Sequence, residues 1–552
     1  MSISRRGFLT GLGSGAAGAA GAAVLSPSDV LAERMDTRAR KQPQRFSRMF
    51  ERLPPFADAT PAVRAALTDL GAPGGLMDAQ DPLHLGPLEL MTKPDLSPNN
   101  RDNPTHTAGI TFLGQFIDHD LTFDTSSRLG IPTAPERSAN ARTPRLDLDS
   151  VYGRGWIEDP HLYDPADRIK MKVGSGGTFE DVPRMEDHTA IIADPRNDEH
   201  VMIAGMQAAF LTFHNSVVDM LRAGGDDGDY GDNHEGDYGD NHEGDHGDNH
   251  DDGDQDDNQG ARAGGDRADA RLFARARQLV TWHYQWIVVN QFLPAIIGPQ
   301  LVTEILESGR RYYRPRPGEQ SIPVEFQGAA YRFGHSMVRP SYRANLAGDG
   351  GLPFFGFIFD PSGEGLEDPP DLRGGCRAPR RFIGWQSFFE FGGNQRARPN
   401  KRIDTKISTP LFQLPLAAIA SHDQPTALPQ RNLLRHLTWS LPSGQAIAAE
   451  MGIQPLTPSQ LAELAMFNVG LENDTPLWYY VLKEAELMAD GLTLAGVGAR
   501  LVGEVIIGLL QLDKTSYLSQ GWRPTLPRRA AETFDMVDLL TFAGLDPAAR
   551  GQ

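Results

Sequence analysis

A mainly α-helical fold, large and single-lobed with long loops and little β structure, is what this 552-residue sequence predicts. Two stretches, 202–221 and 270–294, place apolar residues at three- and four-residue spacing, the period of a helix buried along one face. Forty-one prolines and 58 glycines call for many connections between such helices. The length exceeds the roughly 250–300 residues at which one core usually stops growing. Yet no stretch outside a single insertion reads as a linker, so one large unit is expected. A lone cysteine, Cys376, excludes an intrachain disulfide and leaves burial and bound groups to hold the fold.

Residues 1–32 read as a twin-arginine export signal: Arg5 and Arg6, a weakly apolar Ala/Gly run, and a cleavage site at Val30-Leu31-Ala32. Export predicts a periplasmic or secreted protein. The apolar run 501–511 is about half the length that spans a bilayer, so no stable membrane insertion is expected. Residues 33–100 form a Pro-rich arm, 101–530 the body, and 531–552 a C-terminal tail. An insertion at 224–260 holds three copies of an eight-residue Gly/Asp/Asn/His repeat between 231 and 254. It has no apolar position to repay ordering, and disorder is expected. Its histidines either collect metal ions loosely or belong to a solvated spacer. Fifteen of the acidic residues lie in 226–257 without a Lys or Arg, so the formal charge of −19 reduces to −4 for the rest. No basic stripe remains to bind nucleic acid. His214 and His283 lie inside the two periodic stretches and read as packing residues.

The richest stretch is GQFIDHDLTFD, 114–124. On a helix Gln115 and His119 share a face, Asp118 and Asp120 flank the histidine, and Phe112, Phe116 and Ile117 supply the buried stripe. A proton-transferring imidazole beside two carboxylates and an amide suits a reactive centre. In TPRLDLDSVYG, 143–153, Thr143, Arg145, Asp147 and Asp149 alternate, so an extended loop turns hard oxygen ligands to one point and suits Ca²⁺. The plainer alternative is a polar turn with solvated acids. Two further elements are ADPRNDEH, 193–200, and YRFGHSMVRP, 331–340, followed by PQRNLLRHLTWSLPSGQ, 429–445.

Together, and in this order, these elements resemble the animal-type haem peroxidases of the peroxidase–cyclooxygenase superfamily, over roughly residues 100–515. The single cysteine and the stretch 496–513 resemble bacterial members of that family. The resemblance implies a helical haem peroxidase-like fold, with haem b and Ca²⁺ as bound groups. It assigns His119, Arg196 and Gln115 to catalysis and His335 to the iron. Asn432 would accept from the proximal ring, and Arg435 would pair with a haem propionate. Asn432 as an ordinary helix cap is the alternative. Asp118 and Glu199 match carboxylates that form ester links to haem, and the extent of such links is left open. His200 stands where one family member has a sulfonium-forming methionine, so no such bond is expected. The calcium shell would comprise Asp120, Thr143 (side chain and carbonyl), the Arg145 carbonyl, Asp147 and Asp149.

The implied activity is reduction of hydrogen peroxide through a ferryl intermediate, with a small organic donor or a halide oxidised. Two rivals stand beside it. A fatty-acid dioxygenase of the same superfamily needs a tyrosine three residues before the proximal histidine; Arg332 is there, and Tyr331 is four before. A secreted calcium-binding or adhesive protein would use the acidic repeat instead.

Overall fold

The computed structural model describes residues 44–547 apart from 176–178, 225–255, 317, 393–396 and 420, and for 256–265 the helical backbone alone. The twin-arginine segment, the start of the arm, the acidic repeat and residues 548–552 lie outside the described residues. The chain resumes in helix at Asp256, four residues before the expected end of the insertion at 260.

Helices dominate, as expected. Eight α-helices of ten residues or more are described: α1 (Pro61–Leu70), α2 (Gly109–Leu121), α3 (Val201–Arg222), α4 (Asp256–Ile287), α5 (Pro299–Ser308), α6 (Leu428–Trp439), α7 (Leu477–Ala489) and α8 (Gly496–Leu512). Strand is confined, among the described residues, to antiparallel two-stranded ladders. The longest pairs Ser341–Asp349 with Leu352–Phe357 in a hairpin.

The local sequence explains where these helices start. Thr60 accepts from the Val63 N–H at the head of α1, and Pro61 sits at the first helical position, where a missing N–H costs nothing. α6 has a proline in its first turn and ends at Ser440 in the left-handed region. α3 is capped by a histidine: His200 Nδ1 accepts from the Ile203 N–H.

The core forms where α2, α3 and α4 meet. Phe116 and Phe210 stack at 4.6 Å, and Tyr284 meets them edge-on at 6.2 and 5.7 Å. All three are fully buried, each contributing about 1.5–3 kcal/mol through area removed from water. α4 runs into a π-turn at Val288–Phe292. Phe292 occupies the space a Cβ on Gly114 would need, 2.9 Å away, so the glycine allows this close approach to α2. α3 is long and apolar enough to cross a membrane, but 78 % of that apolar window is buried inside the fold.

The first and last described segments join this core. Phe46 packs on Trp439 at 5.3 Å, and Gly71 at the end of α1 abuts the backbone of Pro429 and Gln430. Residues 531–545, read above as a tail, contain a capped helix, Met536–Phe542, with Met536, Leu539 and Leu540 buried. Apolar spacing on one face outweighs the charged residues around it. His214 and His283 are hydrogen-bonded packing residues, as expected. His214 lies 3.0 Å from the Tyr152 hydroxyl and 2.9 Å from the Ile169 carbonyl, and His283 lies 2.7 Å from the Leu279 carbonyl.

Candidate active site

A cavity of about 450 Å³ is lined by both singled-out histidines, His119 from α2 and His335 from the short helix Gly334–Met337. Gln115, Asp118, Arg196 and Glu199 line it too, as do Tyr331, Arg332 and Arg435. Gln115, Asp118 and His119 reach it from one side of α2, while Phe112, Phe116 and Ile117 are buried in the core.

Burial pushes the His119 imidazole down to about 3, and the Arg196 charge acts in the same direction, so the ring is neutral at physiological pH. His119 Nδ1 lies 2.8 Å from Asn197 Oδ1. Arg196 is clamped: Nε and Nη2 donate to the two oxygens of Asp194 at 3.0 and 2.8 Å. Nη2 also donates to the His119 carbonyl at 3.1 Å, and the guanidinium lies 4.4 Å from the centre of the Phe123 ring. Nη1 stands 4.0 Å from the Asp118 carboxylate. Arg142 Nε donates to Asp194 at 2.8 Å. Burial acts to raise Asp194, but the charges of Arg196 and Arg142 prevail and hold its carboxyl below the usual range.

Glu199 accepts from Gln115 Nε2 at 3.1 Å, and Gln115 Oε1 lies 2.8 Å from His200 Nε2. Because His200 Nδ1 already accepts from the Ile203 N–H, Nε2 carries the proton and donates to Gln115. The amide orientation of Gln115 is thereby set. Burial pushes Glu199 up to about 8 and also raises Asp118.

On the opposite wall, Asn432 Nδ2 lies 2.7 Å from His335 Nδ1. Asn432 is inside α6, whose N-cap is Ala427, so the helix-cap alternative fails. The polarity differs from expectation. Arg332 Nη1 donates to Asn432 Oδ1 at 2.9 Å, so Asn432 turns its N–H toward the ring instead of accepting from it. A buried guanidinium makes the stronger, charge-assisted bond and takes the one acceptor available. Burial, then the Arg332 charge, pushes His335 down to about 3. With Nδ1 accepting, Nε2 carries the proton of the neutral ring; ligation through Nε2 would require that proton to move to Nδ1 and the Asn432 amide to turn its oxygen to the ring. Tyr331, four residues before His335, donates its hydroxyl to the Gly114 carbonyl of α2 at 3.2 Å.

Two observations fit this cavity to a flat, carboxylate-bearing group. Arg435 donates to Asp124 and Ser127, both at 2.6 Å, yet its buried Nε has no hydrogen-bond partner among the described residues. Such a donor suits a carboxylate. A Cβ on Gly334 would meet nothing within 4 Å, so the backbone beside His335 is open to a close neighbour.

Next to the site, carboxylate oxygens of Asp120, Asp147 and Asp149 lie within 4.8 Å of one another. The loop is not the extended one expected: with Leu146 and Leu148 buried, the chain turns left-handed at Leu148 (φ 58°, ψ 34°) and Asp149 opens the short helix Asp149–Tyr152. Thr143 joins the cluster, donating its hydroxyl to Asp147 at 2.8 Å and its N–H to Asp149 at 2.9 Å. The Leu148 N–H and the Ser150 hydroxyl donate to Asp120 at 3.2 and 3.3 Å. The Arg145 side chain makes none of these hydrogen bonds among the described residues. Burial and then the charge of Asp147 raise both Asp120 and Asp149, the latter to about 7. Repelling hard-oxygen donors of this kind fit Ca²⁺.

Sequence reasoning assigned no site contact to Asp194, Asn197, Arg142 or Arg332. Asp194 and Asn197 lie in the same eight-residue window as Arg196 and Glu199, and that proximity was the available signal. Nothing local marks Arg142, which reaches Asp194 across 52 positions.

A sequence model of the family described as Animal haem peroxidase matches residues 124–351. The Peroxidase-like protein of Margaritifera margaritifera is 37 % identical over 313 residues, 46 % of this chain and 34 % of that protein. The chain thus spans about a third of that relative's length. Among solved structures, Peroxidase A from Dictyostelium discoideum matches with a TM-score of 0.58 at 13 % identity, covering 92 % of this chain and 94 % of that one. The fatty acid alpha-dioxygenase of Arabidopsis thaliana matches with a TM-score of 0.52 at 14 % identity, covering 92 % and 76 %. Such low identities show the shared helical fold and do not choose between the two activities. The family match over residues 124–351 and the shared fold make this chain similar to the animal-type haem peroxidases of the peroxidase–cyclooxygenase superfamily.

Proposed function

We propose that this chain is a haem-dependent peroxidase that reduces hydrogen peroxide to two waters with two electrons from a small organic donor or a halide. The observation that carries this reading is the neutral His119 ring, one nitrogen engaged by Asn197, in the same cavity as His335. His335 is the residue to hold the iron, with Arg332 and Arg435 at hand for carboxylates of the porphyrin. Haem, when bound, supplies the redox chemistry that breaks the O–O bond. His119 takes a proton from the incoming peroxide at Nε2 and returns it to the leaving oxygen, serving as base and then acid. The Arg196 guanidinium, fixed by Asp194, opposes the negative charge that develops on the departing oxygen. Gln115 points an amide whose polarity is set by His200. Asp118 and Glu199 line the same cavity and are the carboxylates available for ester links to the porphyrin.

The tyrosine geometry supports this reading over a dioxygenase. The Tyr331 hydroxyl is committed to the Gly114 carbonyl, and Arg332 occupies the position three before His335. Purified protein reconstituted with haem is expected to oxidise a phenol or bromide only when peroxide is added. Oxygen uptake with linoleate in the absence of peroxide would reverse the assignment.

The Asp120–Asp147–Asp149 cluster is proposed to bind Ca²⁺, pinning the helix that carries His119. The sign of its pH dependence follows from Asp149, raised from 3.8 to about 7. Without a cation, ionising this carboxyl disfavours the fold progressively as pH climbs from about 4 to about 7. A bound cation removes that penalty. Chelation is therefore expected to lower the melting temperature by several degrees at pH 8 and by much less at pH 5, read by thermal denaturation with and without EGTA. An equal drop at both pH values would count against the site.

A further inference from the structure

We propose that Asn197, braced by Gln207 of α3, is the positioning residue that fixes the tautomer of His119 and so decides which ring nitrogen acts on peroxide. The inference rests on the reading of His119 as the proton-transferring group.

The geometry is a three-residue chain. His119 Nδ1 lies 2.8 Å from Asn197 Oδ1, and Asn197 Nδ2 donates to Gln207 Oε1 at 2.8 Å. All three side chains are buried, with Asn197 fully inaccessible. An amide oxygen can only accept, so the facing ring nitrogen must carry the proton. A neutral imidazole has one proton to place, and with Nδ1 holding it Nε2 keeps its lone pair. His119 lines the cavity, whereas Asn197 and Gln207 do not. Nε2 is therefore the nitrogen left to the cavity, and it arrives there as an acceptor.

Asn197 cannot easily turn around. It belongs to the tight turn Pro195–Asp198, whose head is closed by Asp194 accepting from the Arg196 N–H. Its own N–H is taken by the Asp194 carbonyl. Reversing its amide would set the oxygen against Gln207 Oε1 and the NH₂ group against His119. The same turn thus sets the charge opposite peroxide through Arg196 and the proton acceptor through Asn197. An apolar side chain at 197 would leave the two neutral tautomers close in energy and the ring free to rotate. One hydrogen bond of ordinary net strength is worth about a tenfold bias between such states.

The test uses the full-length haem-loaded protein and two readouts, cyanide affinity by optical titration and peroxide-dependent oxidation of a phenol. Cyanide enters as the neutral acid HCN and leaves its proton on a base in the pocket, so its binding reports the acceptor without turnover. Asn197→Leu is expected to retain the haem absorption band while cyanide affinity and phenol oxidation both fall about tenfold or more. Asn197→Asp, which restores an acceptor at the same place, is expected to recover most of both. Gln207→Leu, outside the cavity, is expected to give a smaller loss in the same direction, and it serves as the probe if the 197 variant fails to take up haem. Wild-type cyanide affinity in Asn197→Leu, or in Gln207→Leu where that variant stands in, overturns the proposal. So does an Asp variant as impaired as the Leu variant. His119→Ala run in parallel separates the levels. If it leaves both readouts intact, the role of His119 fails and the inference with it; if it impairs both while Asn197→Leu impairs neither, only the inference fails.

Discussion

His119→Ala is expected to retain haem while cutting peroxide-dependent turnover by about 10²-fold or more, the usual scale for a lost acid–base group. The substitution is a clean one. Alanine is the best helix former, so α2 should persist. The Arg196 bond to residue 119 goes to its backbone carbonyl and survives the change. The clamp of Asp194 on Arg196 does not involve the imidazole either. What disappears is the neutral imidazole on the α2 wall, whose Nδ1 is held by Asn197 and whose Nε2 is left to the cavity. Steady-state oxidation of a phenol at fixed peroxide measures the loss, with the haem absorption band as the control for occupancy. Undiminished turnover would contradict the mechanism.

His335→Ala should act at the other wall and with a different signature. The purified protein is expected to carry little haem, seen as loss of the haem absorption band, because the axial ligand is what holds the iron. The surrounding framework should remain, because Arg332 keeps its bond to Asn432 and Tyr331 its bond to α2. Added imidazole is expected to restore part of the absorbance by filling the vacated place. Full haem content in the unsupplemented variant would sink the assignment of the axial ligand.

How much of this was legible beforehand depends on the range of the interactions. The face shared by Gln115 and His119 follows from helical period alone, whereas the acids at 147 and 149, expected on an extended loop, flank a left-handed turn at Leu148 that leads into a short helix. The reversal at Asn432 was not legible, because it turns on a competition between His335 and Arg332 for one oxygen, and those residues meet it from about a hundred positions away. Asn197 was hidden for another reason: nothing in a four-residue turn says which side chain faces the cavity and which faces behind it. The helix at Met536–Phe542 shows a third case, in which a short apolar pattern gains meaning only from the core it covers. Arg142 bridging Asp149 and Asp194, at 3.5 and 2.8 Å, combines two separate loops that the sequence presents as unrelated.

The tie from Tyr331 to the Gly114 carbonyl joins the two histidine-bearing walls directly, with Phe326 stacked on the tyrosine at 4.7 Å and Phe292 beside it at 6.3 Å. Gap width at that margin is consequently gauged by aromatic rings already in register, like a spacer left between two plates. A planar guest held between the walls would meet that fixed edge on one side, with Arg431 and Arg435 among the charged groups lining the same cavity.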